Sequence, residues 1–272
     1  MNNGAEKIGK IYLIGAGPGD PKLLTIKAAE CIAAADVIVY DYLVNPEVLA
    51  YARRGAELIY AGKRAGEPSV SQSDINRILI EQAQAGRVVA RLKGGDPFIF
   101  GRGGEEAEAL VEAGITWEII PGISSGVAAA AYAGIPLTHR NYASSVAFFT
   151  GHDNPNKSRQ AVNWSIAGNA ADTLVIFMCA ETIAKIAREL INGGRAPQTP
   201  VAIIRWGTYE HQELYSGSLE DIAAGEIEQV RIEPPAIAIV GDVVSLKDKL
   251  RWFGNPALEY SLEELAHRTV KV

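Results

Sequence analysis

The stretch YLIGAGPGDPKLLTIKAAECIAAADVIVYD, Tyr12 to Asp41, decides the fold class. KIYLIG predicts a strand, GAGPGD a glycine-rich turn, Pro21 to Ala34 a helix and DVIVYD a second strand. Asp20 stands at the N-cap of that helix and Pro21 at its first position. A unit of this kind ordinarily holds a nucleotide, so the turn has to be read for phosphate. Gly15 and Gly17 meet the first two positions of the dinucleotide pattern G-x-G-x-x-G, but the third is Asp20. Phosphate binds where a helix offers free N–H groups and the positive end of its dipole. Here a carboxylate already caps those groups and repels a pyrophosphate. No Walker lysine follows, so a P-loop is also excluded. Asp41 stands about where a ribose-binding acid would, which keeps an NAD-dependent dehydrogenase as a rival reading; Asp20 counts against it. The turn suits a ligand without phosphate that needs close backbone approach, and S-adenosylmethionine is such a ligand.

Outward from this stretch, strands and helices keep alternating, the pattern of mainly parallel sheet wrapped by helices. AELIYAG, RVVARLKGGD and TWEIIPG read as strands. Ser71 with Asp74 announces a helix running to Gln84, another starts near Gly104, and an alanine-rich helix covers Val127 to Ala133. GIPLTHRNYAS breaks the rhythm and reads as a linker or crossover. A second α/β half follows, with SVAFFTGH, TLVIFM, a helix from Glu181 to Ile191, PVAIIRWG, QELYSG and PAIAIVG. His152 to Ala170 reads as a surface loop with a short helix, and Gly254 to Val272 as an appended helix that packs on a partner. The expected organisation is α/β, with domains over 8–137 and 145–253 and an extension over 254–272.

Composition narrows the class. A chain of 272 residues, 48% hydrophobic and 21% charged, is expected to be soluble and globular. A net charge of −6 argues against a nucleic-acid partner, which calls for a basic face, and leaves room for a local basic pocket for a small anion. No apolar run reaches the roughly 18 residues of a membrane span, and MNNGAEKIGK lacks the apolar core of a secretory signal. Cys31 and Cys179 do not form a disulfide framework, and with four scattered His they give no metal-ligand spacing. The expectation is a cytoplasmic, reduced, metal-free protein.

The second glycine-rich segment, RLKGGDPFIFGRGGEEAEAL, carries more. Gly94 and Gly95 let backbone approach a ligand closely, Asp96 puts a carboxylate at the end of a strand, and Pro97 fixes the turn. A tight connection with a capping acid accounts for one Gly and one Asp. It does not need the five glycines, two aromatics and one arginine of GGDPFIFGRGG.

Taken in order, GAGPGDPKLLT, VYDYLV, AGKRAG, RLKGGDPFIFGRGGEE and PGISSGVAAAAYAGIPLTHR resemble the tetrapyrrole methylase family, over roughly Lys10 to Gly241. The resemblance implies two unlike α/β domains with S-adenosylmethionine in the cleft between them, and a homodimer. It implies that Pro18 lines the cofactor site, that Gly94, Gly95 and Asp96 wrap the cofactor's amino-acid end and ribose, and that Ile99 packs beside them. Ser124 and Ser125 stand where relatives often have Thr-Ala. Met178, Gly207 and Ala236 are the implied second-domain contacts, Ala236 closing on the adenine; without the resemblance, Met178 reads as core.

The implied methyl acceptor is a pyrrole carbon, which is electron-rich enough to attack the S-methyl group directly. Positioning then carries most of the rate. The methylated ring is cationic and must lose a proton. The resemblance makes Asp41 the proton acceptor and Lys63 a proton donor. Read alone, Asp41 is equally a strand-end acid capping a neighbouring helix, and Lys63 and Arg64 are carboxylate clamps or solvated loop charges. The implied substrate carries acetate and propionate arms, for which Arg102 and Arg140 are the candidates. Glu105 either orients Arg102, accepts from pyrrole N–H groups, or is a first-turn acid favoured by the helix dipole. His139 reads as structural. The expected activity is double methylation of uroporphyrinogen III to precorrin-2, the first step toward sirohaem and cobalamin. The chain has no room for the dehydrogenase and ferrochelatase domain of fused relatives, so it is expected to stop there. A sister activity on a later precorrin is the nearer rival. A non-catalytic tetrapyrrole carrier is the farther one, and it would not need the GGD site.

Overall fold

The structure, a computed structural model, describes residues 8–62, 70–152, 162–225 and 232–262. The chain forms two compact α/β units, Met1–Ser125 and Gly126–Val272, each built on its own sheet. The first unit holds β1 (Lys10–Gly15), α1 (Ile26–Ala34), β2 (Val37–Tyr40), β3 (Glu57–Tyr60), α2 (Gln72–Gln84), β4 (Val88–Lys93), α3 (Gly103–Glu112) and β5 (Thr116–Ile120). Its strands are all parallel, in the order β3-β2-β4-β1-β5. Ile11, Leu13, Val37, Val39 and Val89 turn to Leu79 of α2 and Leu110 of α3, whereas Ile14, Ile38, Ala90 and Leu92 turn to Ala28 and Ile32 of α1. Burial on both faces is why these strands read as continuous apolar runs. From β1 the chain passes beyond β4 to β2; from β4 it passes beyond β1 to β5. GAGPGD and KGGD therefore leave the carboxyl ends of adjacent strands at a switch point, where open parallel sheets bind ligands.

The helix expected over Pro21–Ala34 is two pieces. Asp20 caps only a 3-10 turn, Pro21–Leu23, by accepting the Lys22 N–H at 2.8 Å. Leu24 is extended, and α1 starts afresh from Thr25, whose Oγ1 accepts the Ala28 N–H at 3.2 Å. Threonine competes as a cap because its hydroxyl satisfies an otherwise orphan amide. The capping pair at Ser71 and Asp74 starts α2 as the sequence suggests, Ser71 accepting from the Asp74 N–H at 3.1 Å.

The second unit takes up α4 (Ser125–Tyr132) from its second residue and continues through β6 (Val146–Thr150), α5 (Trp164–Ala167), β7 (Thr173–Phe177), α6 (Ile183–Asn192), β8 (Pro200–Arg205), β9 (Glu213–Ser218), α7 (Leu219–Ala223), β10 (Ala236–Val240), α8 (Lys247–Leu250) and β11 (Glu259–Ser261). Its division from the first unit precedes residue 137 because α4 sends Ala129, Ala130 and Ala133 into a core with Val175, Phe177, Ile204 and Ile239. The opposite face of the sheet is covered by α6, whose Ile183, Ile186, Ala187 and Leu190 follow helical spacing, together with Trp164, Leu219 and Ile222. The sheet is mixed rather than mainly parallel. In the order β11-β9-β8-β10-β7-β6, β10 runs antiparallel to both β7 and β8, and β9 antiparallel to β8. The described part of the C-terminal segment is also not the expected helix. It is a 3-10 turn, Pro256–Leu258, followed by β11, which adds to β9 with Tyr260 stacked on Tyr215 at 4.9 Å. Among the described residues no helix is long and apolar enough to cross a membrane.

One surface cluster in the first unit gives a pH test. Glu118 on β5 takes the Lys10 ammonium at 2.6 Å and also pairs with Lys27. Hydrogen bonds from these two lysines hold its carboxyl down at about 2, from an ordinary 4.5. A depressed carboxylate contributes stability above its ordinary value, and that contribution is lost as pH falls toward the folded-state value. The stability difference between wild type and Glu118→Gln should therefore be constant above about pH 5 and vanish by about pH 2. It should be small and shrink in 1 M salt, because Lys27 is exposed and Lys10 and Glu118 each keep about a third of their side-chain surface in water. Urea unfolding across that pH range measures it, and a difference independent of pH would remove the pair as its source.

Candidate active site

The glycines of the first turn serve backbone-to-backbone contact. Gly17 donates its N–H to the Gly95 carbonyl at 3.2 Å, and Gly95 returns its own to Gly17 at 2.7 Å. Both are left-handed, at φ 80° and 68°, where side chains are disfavoured. A Cβ on Gly122 would lie 2.3 Å from the Gly95 oxygen and 2.7 Å from Gly15 Cα, so the ends of β1, β4 and β5 touch through three glycines. The amides of Gly17 and Gly95 are therefore engaged with each other, and the nest that a pyrophosphate needs is closed. Asn45 adds a tie, donating Nδ2 to the Gly19 carbonyl at 2.7 Å.

Asp96 fixes the second turn to the same junction. Its Oδ1 accepts the Phe98 N–H at 2.8 Å and its Oδ2 the Gly122 N–H at 3.0 Å. Each oxygen keeps a lone pair for a ligand. Ser124 and Ser125 lie alongside, since a Cβ on Gly95 would stand 3.4 Å from the Ser125 nitrogen and 3.8 Å from Ser124 Cα. Thus Gly94, Gly95, Asp96, Ser124 and Ser125 come together at the carboxyl end of the first sheet. Pro18 is half-buried and follows Gly17, whose backbone pairs with Gly95, and Ile99 is exposed in the loop that follows Asp96.

In the second unit, Met178, Gly207 and Ala236 share one edge. Met178 follows β7, Gly207 lies just beyond β8, and the register sets Ile237 against Phe177 and Ala236 against Arg205. Met178 is not core. Its backbone is left-handed at φ 54°, and the side chain is 50% exposed. Gly207 has no room for a side chain, as a Cβ would sit 2.4 Å from that of Ala129.

Asp41 lies just past β2. Its Oδ1 accepts the Leu43 N–H at 3.2 Å, so it caps its own turn rather than a neighbouring helix, and its Oδ2 accepts Arg91 Nη2 at 3.1 Å. Behind it is a set that the sequence reading passed over. Arg91 Nε at 3.2 Å, Lys93 Nζ at 2.9 Å and Gln72 Nε2 at 3.2 Å all donate to Oε1 of Glu106. Burial, and then the neighbouring Arg91, push the Lys93 ammonium below its ordinary range despite Glu106. Lys63 and Arg64 lie outside the described residues.

Arg102 caps α3 at φ 59° and forms a bidentate pair with Glu105, Nε–Oε1 at 3.0 Å and Nη2–Oε2 at 2.5 Å, both side chains exposed. Arg140 is exposed and belongs to the second unit. His139 is part of a local turn, exchanging backbone hydrogen bonds with Ala143 at 2.9 Å and accepting the Asn141 N–H on Nδ1 at 3.2 Å.

Residues 10–223 match the model of the family Tetrapyrrole (Corrin/Porphyrin) Methylases. The chain belongs to the tetrapyrrole methylase family. It is 49% identical over 257 residues to uroporphyrinogen-III C-methyltransferase of Bacillus subtilis (strain 168), covering 94% of this chain and 99% of that one. It is also 49% identical to siroheme synthase of Blochmanniella pennsylvanica over 96% of its own length, but spans only 54% of that relative. Among solved structures it is similar to uroporphyrin-III C-methyl transferase from Thermus thermophilus complexed with S-adenyl homocysteine. That match has a TM-score of 0.74 and 38% identity, covering 87% of this chain and 93% of the other. In this tetrapyrrole methylase, the non-glycine residues described with left-handed backbone are Phe100, Arg102, Met178, Trp206 and Thr208. All of them fall in the motifs GGDPFIFGR, TLVIFM and RWGT. Such strain persists where the surroundings enforce it, and it gathers at ligand sites.

Proposed function

We propose that this chain is an S-adenosylmethionine-dependent uroporphyrinogen-III C-methyltransferase that adds two methyl groups and releases precorrin-2. The observation that carries the reading is the reciprocal Gly17–Gly95 bridge, which closes the turn to phosphate yet leaves a glycine-lined, carboxylate-bearing cradle beside it. That cradle fits an adenosine ligand with an amino-acid end. S-adenosylmethionine, when bound, supplies a methyl group on a sulfonium that departs as a neutral thioether. The residues that would hold it are Pro18, Gly94, Gly95, Asp96, Ile99, Ser124, Ser125, Met178, Gly207 and Ala236.

The pyrrole carbon forms the new C–C bond with its own π electrons, so no residue has to generate a nucleophile, and orientation of the ring is the main task. Asp41 then takes the proton that the methylated ring must lose, and Lys63 is the proposed donor. Arg102, oriented by Glu105, and Arg140 bind the carboxylate arms by their planar forks. A homodimer in the cytoplasm completes the proposal.

Two measurements test it together. Calorimetry should show binding of S-adenosylhomocysteine and none of NAD. Incubation with uroporphyrinogen III and methyl-labelled S-adenosylmethionine should place two labels on each product molecule. Tight NAD binding would return the dinucleotide reading. A labelled later precorrin with unlabelled uroporphyrinogen III would move the activity to a sister enzyme.

A further inference from the structure

We infer that Arg91, Glu106 and Lys93 are positioning residues for Asp41, a buried charge frame that fixes the direction of the acceptor carboxylate. The inference rests on the reading of Asp41 as proton acceptor.

β4 is the middle strand of the first sheet and is covered on both faces. Strand alternation puts Val89, Arg91 and Lys93 on the face that packs against α2 and α3. Apolar residues ordinarily fill such positions in parallel sheets. Arg91 is 2% exposed, Lys93 5% and Glu106 0%. Burying two cations and an anion is a poor route to stability, since apolar replacements of matched volume are often neutral or stabilising. Stability alone therefore gives no reason for this set. What distinguishes it is its outlet: among the described charged members of the group, Asp41, at 26% exposed, is the one that reaches solvent. The four formal charges, two positive and two negative, sum to zero only with Asp41 included.

The geometry is that of a bracket. Three attachments fix the Arg91 plane: Nε to Glu106 at 3.2 Å, Nη1 to the Leu92 carbonyl at 3.0 Å and Nη2 to Asp41 at 3.1 Å. Glu106 takes three donors on Oε1, while its buried Oε2 has no hydrogen-bond partner among the described residues. An arrangement chosen for stability would share the donors between both oxygens. Concentrating them on one oxygen sets where Arg91 points. With Oδ2 held by Arg91 and Oδ1 by the Leu43 N–H, the Asp41 carboxylate has one orientation. Catalytic groups need that support, because a displacement of about 1 Å can cost on the order of 100-fold in rate.

Arg91→Lys keeps the charge, but one ammonium cannot reach both Asp41 and Glu106. Glu106→Gln keeps the shape and removes the anchoring charge. In the full-length protein, each should lower kcat about 10–100-fold, with KM for uroporphyrinogen III and affinity for S-adenosylhomocysteine within about threefold of wild type. The deciding comparison is a double-mutant cycle with Asp41→Asn. If the frame acts through Asp41, adding Arg91→Lys or Glu106→Gln to Asp41→Asn lowers kcat no further than about twofold. Losses that multiply, or folded single variants with unchanged kcat, overturn the inference while leaving Asp41 as acceptor. An Asp41→Asn enzyme with near-normal turnover removes the acceptor reading and the frame with it. Should Arg91→Lys fail to fold by circular dichroism, the isosteric Glu106→Gln cycle decides; if neither folds, the set is a folding element and the inference falls.

Discussion

Asp41→Asn should lower turnover roughly 10²–10⁴-fold, the range for loss of a positioned general base, while S-adenosylhomocysteine affinity stays near wild type. The side chain keeps its size but not its basicity. It also carries one oxygen where the carboxylate has two, so it can accept from the Leu43 N–H or from Arg91 but not from both. The cradle formed by Gly17, Gly95, Asp96 and Gly122 is built without Asp41, which is why cofactor affinity is the internal control. Steady-state turnover with uroporphyrinogen III and calorimetry on the same preparation give both quantities. A loss under tenfold would make Asp41 a turn cap and leave the rate to ring positioning alone.

The parallel half of this fold was legible in the sequence for a physical reason. A strand buried on both faces is a short apolar run, and in β1, β2 and β4 these runs end in residues that stop them: Gly15, Asp41 and Gly94. The same reason hid the antiparallel strands. AIAIV of β10 and PVAIIR of β8 are also buried on both faces, so neither has the two-residue period that would reveal its partner or direction. β11 is three residues long, and the stacking of Tyr260 on Tyr215 supports it, a contact with no local signature.

The site shows a similar split. Both glycine turns were visible because close backbone contact demands glycine, and Asp96 because it ends a strand. Met178 continues an apolar run and reads as core. Only the left-handed backbone after Phe177 turns it out, and nothing in its side chain announces that. The charge frame did leave a trace. In VARLK a period of two puts Arg91 and Lys93 on the face of Val89, and cations there require a buried partner. The acid three residues after Arg102 drew attention to Glu105, which is exposed. Glu106, beside Ala107 and four residues before Leu110, lies on the buried stripe of α3.

Gly122→Ala should destabilise the protein by about 3 kcal/mol or more and weaken S-adenosylhomocysteine binding at least about tenfold. Overpacking a core costs about 1–3 kcal/mol when side chains can shift. Here the new methyl would meet the Gly95 oxygen at 2.3 Å and Gly15 Cα at 2.7 Å, both backbone, with no rotamer to move. Relief requires separating β5 from the ends of β1 and β4. That separation pulls the Gly122 N–H from Asp96 Oδ2 and strains the Gly17–Gly95 bridge, so the turn that defines the cradle opens with it. Gly104→Ala is the control, because that glycine is exposed in α3 with nothing within 4 Å of an added Cβ. Alanine there should be neutral or stabilise by up to about 1 kcal/mol through helix propensity. Urea unfolding with and without S-adenosylhomocysteine separates the two effects. If Gly122→Ala matched wild type in both, the three strand ends would not be in contact. The glycines of GAGPGD would then have to be explained by a ligand rather than by each other.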